Sequence, residues 1–246
     1  MIKLNSDLGE GFGNYKSGND SKIMKYIDMA NLACGFHAGD PLTMTKAIKE
    51  AKKNDISIGA HPGYQDIVGF GRRSIEHTPD ELKAMLIYQI GALRALAIAD
   101  SYDIKYIKPH GALYNDMMKN DDIFSTIVEA LSSYDNNLKL MILSSAKNEK
   151  YKKIANKYHI KLIYEAFADR AYSDNGFLIP RKEKNSLFCD IKIILQRVKE
   201  LNEFGYIKST SGKKLFLKVD SLCVHGDNKE ALNITKSIRA YLDSTK

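Results

Sequence analysis

The sequence is poor in the features that mark secreted, membrane-spanning or disulfide-stabilised proteins. Cysteine occurs only three times in 246 residues, an odd number without close pairing, which indicates reduced thiols in a cytoplasmic compartment. No apolar run reaches the roughly 18 residues that a membrane-spanning helix needs. The first residues, MIKLNSDLGE, lack the apolar segment of a signal peptide. We therefore expect a cytoplasmic protein that does not associate with membranes.

Several ligand-binding motifs are also missing from the chain. It contains no Gly-x-x-x-x-Gly-Lys-[Ser/Thr] run for a nucleotide phosphate, no Cys-x-x-Cys and no His-Glu-x-x-His. The stretch GEGFGN lacks the third glycine of a dinucleotide fingerprint, and its glutamate would repel a phosphate. These absences exclude a P-loop and leave other kinds of nucleotide site open.

The net charge of +7 raises the question of nucleic-acid binding. The lysines are scattered along the chain rather than collected on one stripe with interleaved aromatic residues, and no nucleic-acid motif occurs. We therefore interpret the excess of lysine as a solvated surface and predict no nucleic-acid partner.

Short apolar runs alternate with longer helical patterns along the whole chain. The clearest helix begins at Thr78, which is a good N-cap, with Pro79 in the first helical position and Glu81 completing a capping box. Predicted strands lie at 2–6, 29–34, 56–60, 104–108, 139–143, 160–165 and 215–224. Predicted helices lie at 20–28, 41–54, 79–101, 121–134, 147–158, 187–204 and 228–243.

Strands that alternate with helices indicate an α/β fold with a parallel sheet, either an open doubly wound sheet or a closed barrel. No change of composition marks a linker, and chains of this length are often one domain. We therefore predict a single domain over residues 1–246.

Polar side chains follow six of the seven predicted strands, at the point where each strand ends. They include four of the six histidines, each with a glycine one or two residues later. Because the carboxyl ends of parallel strands lie at one end of the sheet, these side chains should converge into one polar cleft. The candidates are Asp7, Glu10, His37, Asp40, His61, Lys108, His110, Glu165, Asp169, Arg170, His225 and Asp227.

Some of these residues have structural interpretations as well. Asp40 and Asp227 each precede a predicted helix and suit an N-cap. Cys34 and Cys223 are expected to be small buried apolar residues. The aspartates and histidines at the strand ends could also hold a divalent ion of the zinc class.

Two long segments, 61–79 and 165–186, are expected to cover the cleft. Both supply arginines, which suggests a small anionic substrate held beside groups that transfer protons. Arg72 and Arg73 have an alternative interpretation as surface charges or as ion-pair partners of nearby carboxylates, Asp66 and Glu76.

Six long motifs in the same order resemble the LamB/YcsF family. They are NSDLGEGFG, ANLACGFHAGDP, IGAHPGYQD with GFGRR, KPHGALYN, EAFADRAY with GFLIPR, and LCVHGDN, and they cover nearly the whole chain. The resemblance implies a seven-stranded (β/α) TIM-like barrel of the glycoside hydrolase/deacetylase superfamily type. It also implies ATP-coupled hydrolysis of 5-oxo-L-proline (pyroglutamate) to L-glutamate, with 5-oxoprolinase subunits B and C as partners. The missing P-loop agrees with partner subunits handling part of the ATP chemistry.

Opening a lactam requires an oriented water, a proton for the departing ring nitrogen and a group that binds the substrate carboxylate. We assign proton transfer to His61 and His110, and charge stabilisation to Lys108. Asp7 and Glu10 are expected to orient water or a histidine. The predicted substrate-binding residues are His37, Asp40, Arg72, Glu165, Asp169, Arg170, His225 and Asp227.

Two other functional classes stay open at this point. One is a metal-dependent deacetylase or amidohydrolase that acts alone on a small amide or carbohydrate, with Asp7 and His37, His61 or His110 as ligands. The other is a scaffold or small-molecule binding module without catalysis, in which a polar cleft would have no purpose.

Overall fold

Seven parallel strands close into a barrel, in the hydrogen-bonded order β1-β2-β3-β4-β5-β6-β9. The computed structural model describes residues 2–15, 18–224 and 230–245. The barrel strands are β1 (Lys3–Leu8), β2 (Met29–Ala33), β3 (Ser57–His61), β4 (Ile104–Ile107), β5 (Lys139–Leu143), β6 (Leu162–Phe167) and β9 (Ser221–Cys223). This closure confirms the TIM-like barrel and excludes the open sheet.

The helices surround the barrel. They are α1 (Asp20–Ile23), α2 (Pro41–Lys53), α3 (Pro79–Ala99), α4 (Gly111–Met117), α5 (Asp121–Asp135), α6 (Asn148–Lys157), α7 (Ile191–Phe204) and α8 (Ala231–Ser244). At the start of α3 the Thr78 hydroxyl accepts a hydrogen bond from the Glu81 N–H, and the Glu81 carboxylate accepts one from the Thr78 N–H. The predicted capping box is therefore confirmed.

Helix α3 is long and apolar enough to cross a membrane by length and composition alone. Leu82, Leu86, Ile90 and Leu93 on one of its faces are nevertheless buried in the protein core. The helix also packs against α2 and α5. The apolar residues of α3 are therefore explained by its packing as a core helix.

The predicted strand 215–224 is wrong as a single element. Its first part is β8 (Lys214–Phe216), which pairs antiparallel with β7 (Tyr206–Lys208) in a separate two-stranded sheet, and only its last part is the barrel strand β9. The apolar pattern continues through both parts because Leu215 of β8 packs against the core and β9 is buried throughout, so periodicity alone does not reveal the break. The sequence analysis also missed β7 and the short helix α4.

The predicted helix over 187–204 begins later, at Ile191. The Asp190 carboxylate caps this helix by accepting a hydrogen bond from the Lys192 N–H at 2.7 Å. The residues before Asp190 belong to the long connection after β6.

The packing of Tyr106 inside the barrel requires a glycine, Gly59, in β3. A Cβ atom at Gly59 would lie 2.3 Å from Cε2 of Tyr106, so only a glycine leaves room for this ring inside the barrel. The Tyr106 hydroxyl donates to Oδ1 of Asn31 at 2.7 Å, and Asn31 Nδ2 in turn donates to Asp7 at 2.7 Å. The space at Gly59 therefore helps to position a carboxylate at the far end of the strands.

We expect Gly59→Ala to destabilise the fold by about 1–3 kcal/mol, because the new methyl group overpacks the barrel interior. Urea denaturation of the full chain measures this change. Gly91→Ala is the matched control, because its Cβ in α3 would meet nothing nearer than 4.0 Å. Equal stability of the two variants would contradict the role assigned to Gly59.

Candidate active site

Two histidines at the carboxyl ends of β3 and β4 face each other at the centre of the site. His61 Nδ1 lies 2.6 Å from the Lys108 carbonyl oxygen, and His110 Nε2 lies 2.8 Å from the Phe70 carbonyl oxygen. A carbonyl oxygen only accepts hydrogen bonds, so both of these nitrogens carry hydrogen. The remaining nitrogens, His61 Nε2 and His110 Nδ1, lie 2.9 Å apart. In neutral rings they would present two lone pairs to each other, so this position requires a proton or another cation.

A carboxylate and a third histidine lie around the same point. Glu10 Oε1 is 3.4 Å from His110 Nδ1 and 3.5 Å from His37 Nε2. The His37 ring stacks on His110 with a centroid separation of 3.7 Å. Neither ring nitrogen of His37 has a hydrogen-bond partner among the described residues, although the side chain is fully buried.

This cluster has the donor set of a divalent metal centre. One ligand atom from each of Glu10, His37, His61 and His110 lies within 4.8 Å of all the others. Tetrahedral zinc bonds of about 2.0–2.1 Å place neighbouring ligand atoms roughly 3.3 Å apart, close to several of the separations observed here. His61 and His110 also donate their outer N–H groups to backbone carbonyls, as metal-bound histidines commonly do.

Burial favours the neutral forms of His37 and His110. Burial lowers the pKa of His37 well below its ordinary value, and a charge on His61 would lower it further. Burial also lowers the pKa of His110, together with the neighbouring His37 and His61. Neutral imidazoles keep a lone pair for a metal, so the residues present fit a divalent ion.

A buried lysine between two carboxylates forms the second part of the site. Lys108 Nζ lies 2.8 Å from Asp7 Oδ1 and 2.8 Å from Glu165 Oε1. Burial alone lowers the pKa of Lys108, but the carboxylates of Asp7 and Glu165 outweigh burial and keep this pKa well above its ordinary value. The Tyr114 hydroxyl donates to the other Glu165 oxygen at 2.8 Å.

The two parts of the site are joined by Asp7. Its Oδ2 atom is 3.4 Å from His61 Nε2, while its Oδ1 atom accepts hydrogen bonds from Lys108 and Asn31. One carboxylate therefore faces both the histidine pair and the lysine.

The segment 61–79 covers the histidines, as predicted from its length and glycines. A Cβ atom at Gly71 would lie 2.7 Å from His37 Cβ and 2.8 Å from His110 Cδ2, so the backbone packs directly on both rings. Phe70 has a left-handed backbone with φ of 54°, a conformation found at functional sites, and its carbonyl accepts from His110.

The two arginines of this segment have different environments. Arg73 pairs with the Asp66 carboxylate, so the structural alternative is confirmed for this residue. Arg72 is exposed, and its guanidinium lies 5.0 Å from the centroid of the Phe70 ring at the edge of the site.

The connection after β6 brings Asp169 and Arg170 to the same end of the barrel. Both side chains are buried, and Arg170 donates to the Ile179 carbonyl at 2.6 Å. Burial, reinforced by the charge of Arg181, lowers the pKa of Arg170 to about 10. Arg197 of α7 supports this segment by donating to the Ala168 and Arg170 carbonyls, at 3.2 and 2.7 Å.

One predicted substrate-binding residue, Asp40, has a structural role away from the histidine cluster. Asp40 is the N-cap of α2, where its carboxylate accepts from the N–H groups of Gly13, Leu42 and Thr43. The Thr43 hydroxyl, followed by these N–H groups, lowers the pKa of Asp40 to about 2. A substrate role for Asp40 stays a prediction. His225 and Asp227, including the predicted capping role of Asp227, lie outside the described residues.

Sequence reasoning missed the polar residues inside the barrel. Asn5 accepts a hydrogen bond from Asn31 at 2.8 Å, and Tyr106 donates to Asn31. These residues lie within apolar strands rather than after them. Asn5 is two residues before Asp7 and Tyr106 is two residues before Lys108, so strand alternation places each on the same inward face as its partner. That spacing is the signal that could have indicated a role. Cys223 is buried as predicted, with its sulfur 3.4 Å from Lys108 Nζ.

The chain is similar over nearly its whole length to one protein family and to several of its members. A model of the LamB/YcsF family matches residues 2–246. The A subunit of the 5-oxoprolinase of Vibrio parahaemolyticus is 50% identical over 244 residues, covering 99% of this chain and 96% of that protein. Its counterpart in Pyrococcus horikoshii is 46% identical, covering 98% and 94%. A lactam utilization protein from Thermus thermophilus has a crystal structure with a TM-score of 0.91 at 33% identity, covering 100% and 97%.

We expect the full chain to bind Zn²⁺ with a dissociation constant of about 1 μM or tighter, because four donors converge in a buried site. Isothermal titration calorimetry measures the affinity. His37→Asn should abolish most of it, whereas His159→Asn, a change at a histidine outside the cluster, should leave it unchanged. Equal affinity in the two variants would rule out this cluster as the metal site.

We expect Lys108→Met to lower the free energy of unfolding by about 3–5 kcal/mol, because it removes the ammonium group that neutralises the buried Glu165 and pairs with Asp7. Lys150→Met removes a lysine that pairs with Asp121 at 2.5 Å where both side chains are 47% exposed. That control should change stability by less than about 1 kcal/mol. Urea denaturation compares the two, and a similarly small loss for Lys108→Met would disprove the charge balance described here.

Proposed function

Because the chain belongs to the LamB/YcsF family, we propose that it is the A subunit of a 5-oxoprolinase that hydrolyses 5-oxo-L-proline to L-glutamate with ATP. The observation that carries the proposal is the histidine pair of His61 and His110 beside Asp7 and Lys108, at the carboxyl end of the barrel. This arrangement combines groups for proton transfer with a fixed positive charge.

The chemistry of the substrate explains why such groups are needed. A five-membered lactam is a resonance-stabilised amide, and its carbonyl carbon accepts water slowly. Phosphorylation of the carbonyl oxygen would make this carbon electrophilic. The site must then orient the water, protonate the departing ring nitrogen and hold the carboxylate of the substrate.

We assign proton transfer to the histidine pair. Burial of His110 opposes a proton held between His61 Nε2 and His110 Nδ1, and the adjacent carboxylates of Asp7 and Glu10 offset this cost by stabilising the shared positive charge. From this position the proton can pass to the ring nitrogen as the amide bond breaks. Asp7 or Glu10 orients the attacking water, and the Lys108 ammonium stabilises negative charge on the carbonyl side.

The arginines at the edge of the site suit the substrate carboxylate. Arg170 and Arg72 come from the two covering segments, and a guanidinium binds a carboxylate through two parallel hydrogen bonds. We place His37, Glu165 and Asp169 around the substrate as well. Asp40, His225 and Asp227 complete the predicted substrate-binding set.

We assign part of the ATP chemistry to partner subunits B and C, because the sequence contains no P-loop. The word subunit in the names of the relatives says that those proteins work within assemblies. We place the assembly in the cytoplasm, which suits the free thiols of Cys34 and Cys223.

We expect the chain, reconstituted with candidate B and C subunits, to release glutamate from 5-oxoproline only when MgATP is present. His110→Asn should lower the rate by about 100-fold or more, because proton transfer is lost. His159→Asn should leave it unchanged. Glutamate formed equally fast without this chain would disprove the proposal. Full activity of an assembled His110→Asn complex would instead favour a non-catalytic scaffold.

The four-donor cluster favours one alternative, a metal-dependent amidohydrolase that acts without partners. In that case Glu10, His37, His61 and His110 would hold the metal, which would supply an activated water when bound. The effect of zinc on the rate separates the two functions. If His61 and His110 transfer protons, micromolar Zn²⁺ should inhibit the reconstituted enzyme, and a zinc-selective chelator that leaves MgATP intact should not. If they are ligands, hydrolysis should require the metal and proceed without ATP.

A further inference from the structure

The amino-terminal end of the barrel, opposite the candidate active site, contains a second concave site. A cavity of about 610 Å³ lies there, lined by the first residues of several barrel strands. This volume is within the range of small-molecule sites. Its inner wall includes the apolar side chains of Met29 and Ile163 and the ring of Tyr106, which pack together inside the barrel.

Three lysines occupy inward-facing positions around this cavity. Lys3, Lys139 and Lys161 line it, and each lies two residues before a residue whose side chain is inside the barrel. Those residues are Asn5, which is hydrogen-bonded to Asn31 across the interior, and Met141 and Ile163, which pack with Tyr106. Because side chains alternate along a strand, the three lysines face the barrel axis.

The lysines lie on neighbouring parts of the barrel wall. Strand β5 pairs with β6, and β9 alone separates β6 from β1 in the barrel order. Within the described part of the chain, none of the three lysines lies within 4.0 Å of a carboxylate oxygen. Asp220 is the acidic residue in the cavity lining, and its Oδ2 atom already accepts a hydrogen bond from the Tyr164 N–H at 2.9 Å.

Inward positions of small barrels are usually filled by apolar side chains. Lys3, Lys139 and Lys161 are exposed at this mouth, and ammonium groups gathered there repel each other. A multivalent anion between them would relieve this repulsion. Lysine binds phosphate groups as a flexible point charge. The apolar inner wall can accommodate an organic group attached to the phosphate.

We propose that the amino-terminal mouth of the barrel is a binding site for a small phosphate-bearing anion, held by Lys3, Lys139 and Lys161. The site lies at the opposite end of the strands from the histidine cluster. Tyr106 lines its inner end and donates to Asn31, which in turn donates to Asp7.

The test is isothermal titration calorimetry of the full chain with inorganic phosphate, pyrophosphate and ADP at matched ionic strength. Pyrophosphate should bind more tightly than phosphate, because it carries more charge. The double variant Lys139→Gln/Lys161→Gln should weaken binding about tenfold or more, through loss of two neighbouring charges. ADP binding as tightly as pyrophosphate would indicate recognition of the phosphates alone, whereas tighter ADP binding would indicate a nucleotide that also uses the apolar wall.

The matched control is Lys152→Gln/Lys153→Gln, which removes the same charge from exposed positions on α6. This control should bind all three anions like the parent chain. Equal weakening in both double variants would mean a diffuse surface effect and would overturn the proposal. Absence of binding by pyrophosphate and ADP at millimolar concentration would overturn it as well. Thermal melting of each variant confirms that it is folded.

Discussion

The short contact between His61 Nε2 and His110 Nδ1 is the constraint around which the candidate active site is arranged. Backbone carbonyls of Lys108 and Phe70 bind the outer nitrogens of the two rings, so their inner nitrogens must share a proton or a cation. The carboxylates of Asp7 and Glu10 lie beside this pair of nitrogens, the His37 ring stacks on His110, and the segment 61–79 packs over the rings. The chemistry of the site depends on whether a proton or a metal cation lies between these two nitrogens.

Charge compensation extends from this point through the barrel interior. Asp7 links the histidine pair to Lys108, and Lys108 in turn neutralises the buried Glu165. Buried charges persist only when they are paired and hydrogen-bonded. The inner layer of Asn31 and Tyr106 continues these hydrogen bonds toward the opposite mouth, so the two ends of the barrel share one polar network.

Most of the barrel was predictable because local signals and tertiary packing agree. The capping box at Thr78 and the N-cap at Asp40 are formed as their sequence patterns indicate. The prediction was wrong at 215–224, where one apolar pattern serves a peripheral hairpin and a barrel strand. Short elements such as α4 carry too few residues for a periodic signal.

The sequence by itself determined the alternation of strands and helices and the set of polar residues at the strand ends, because both depend on spacing along the chain. Only the tertiary structure decided that His37, His61 and His110 meet Glu10 at one point. It also decided that Lys3, Lys139 and Lys161 line one cavity at the other end. Distances between side chains on different strands depend on barrel closure and register, which no local pattern encodes.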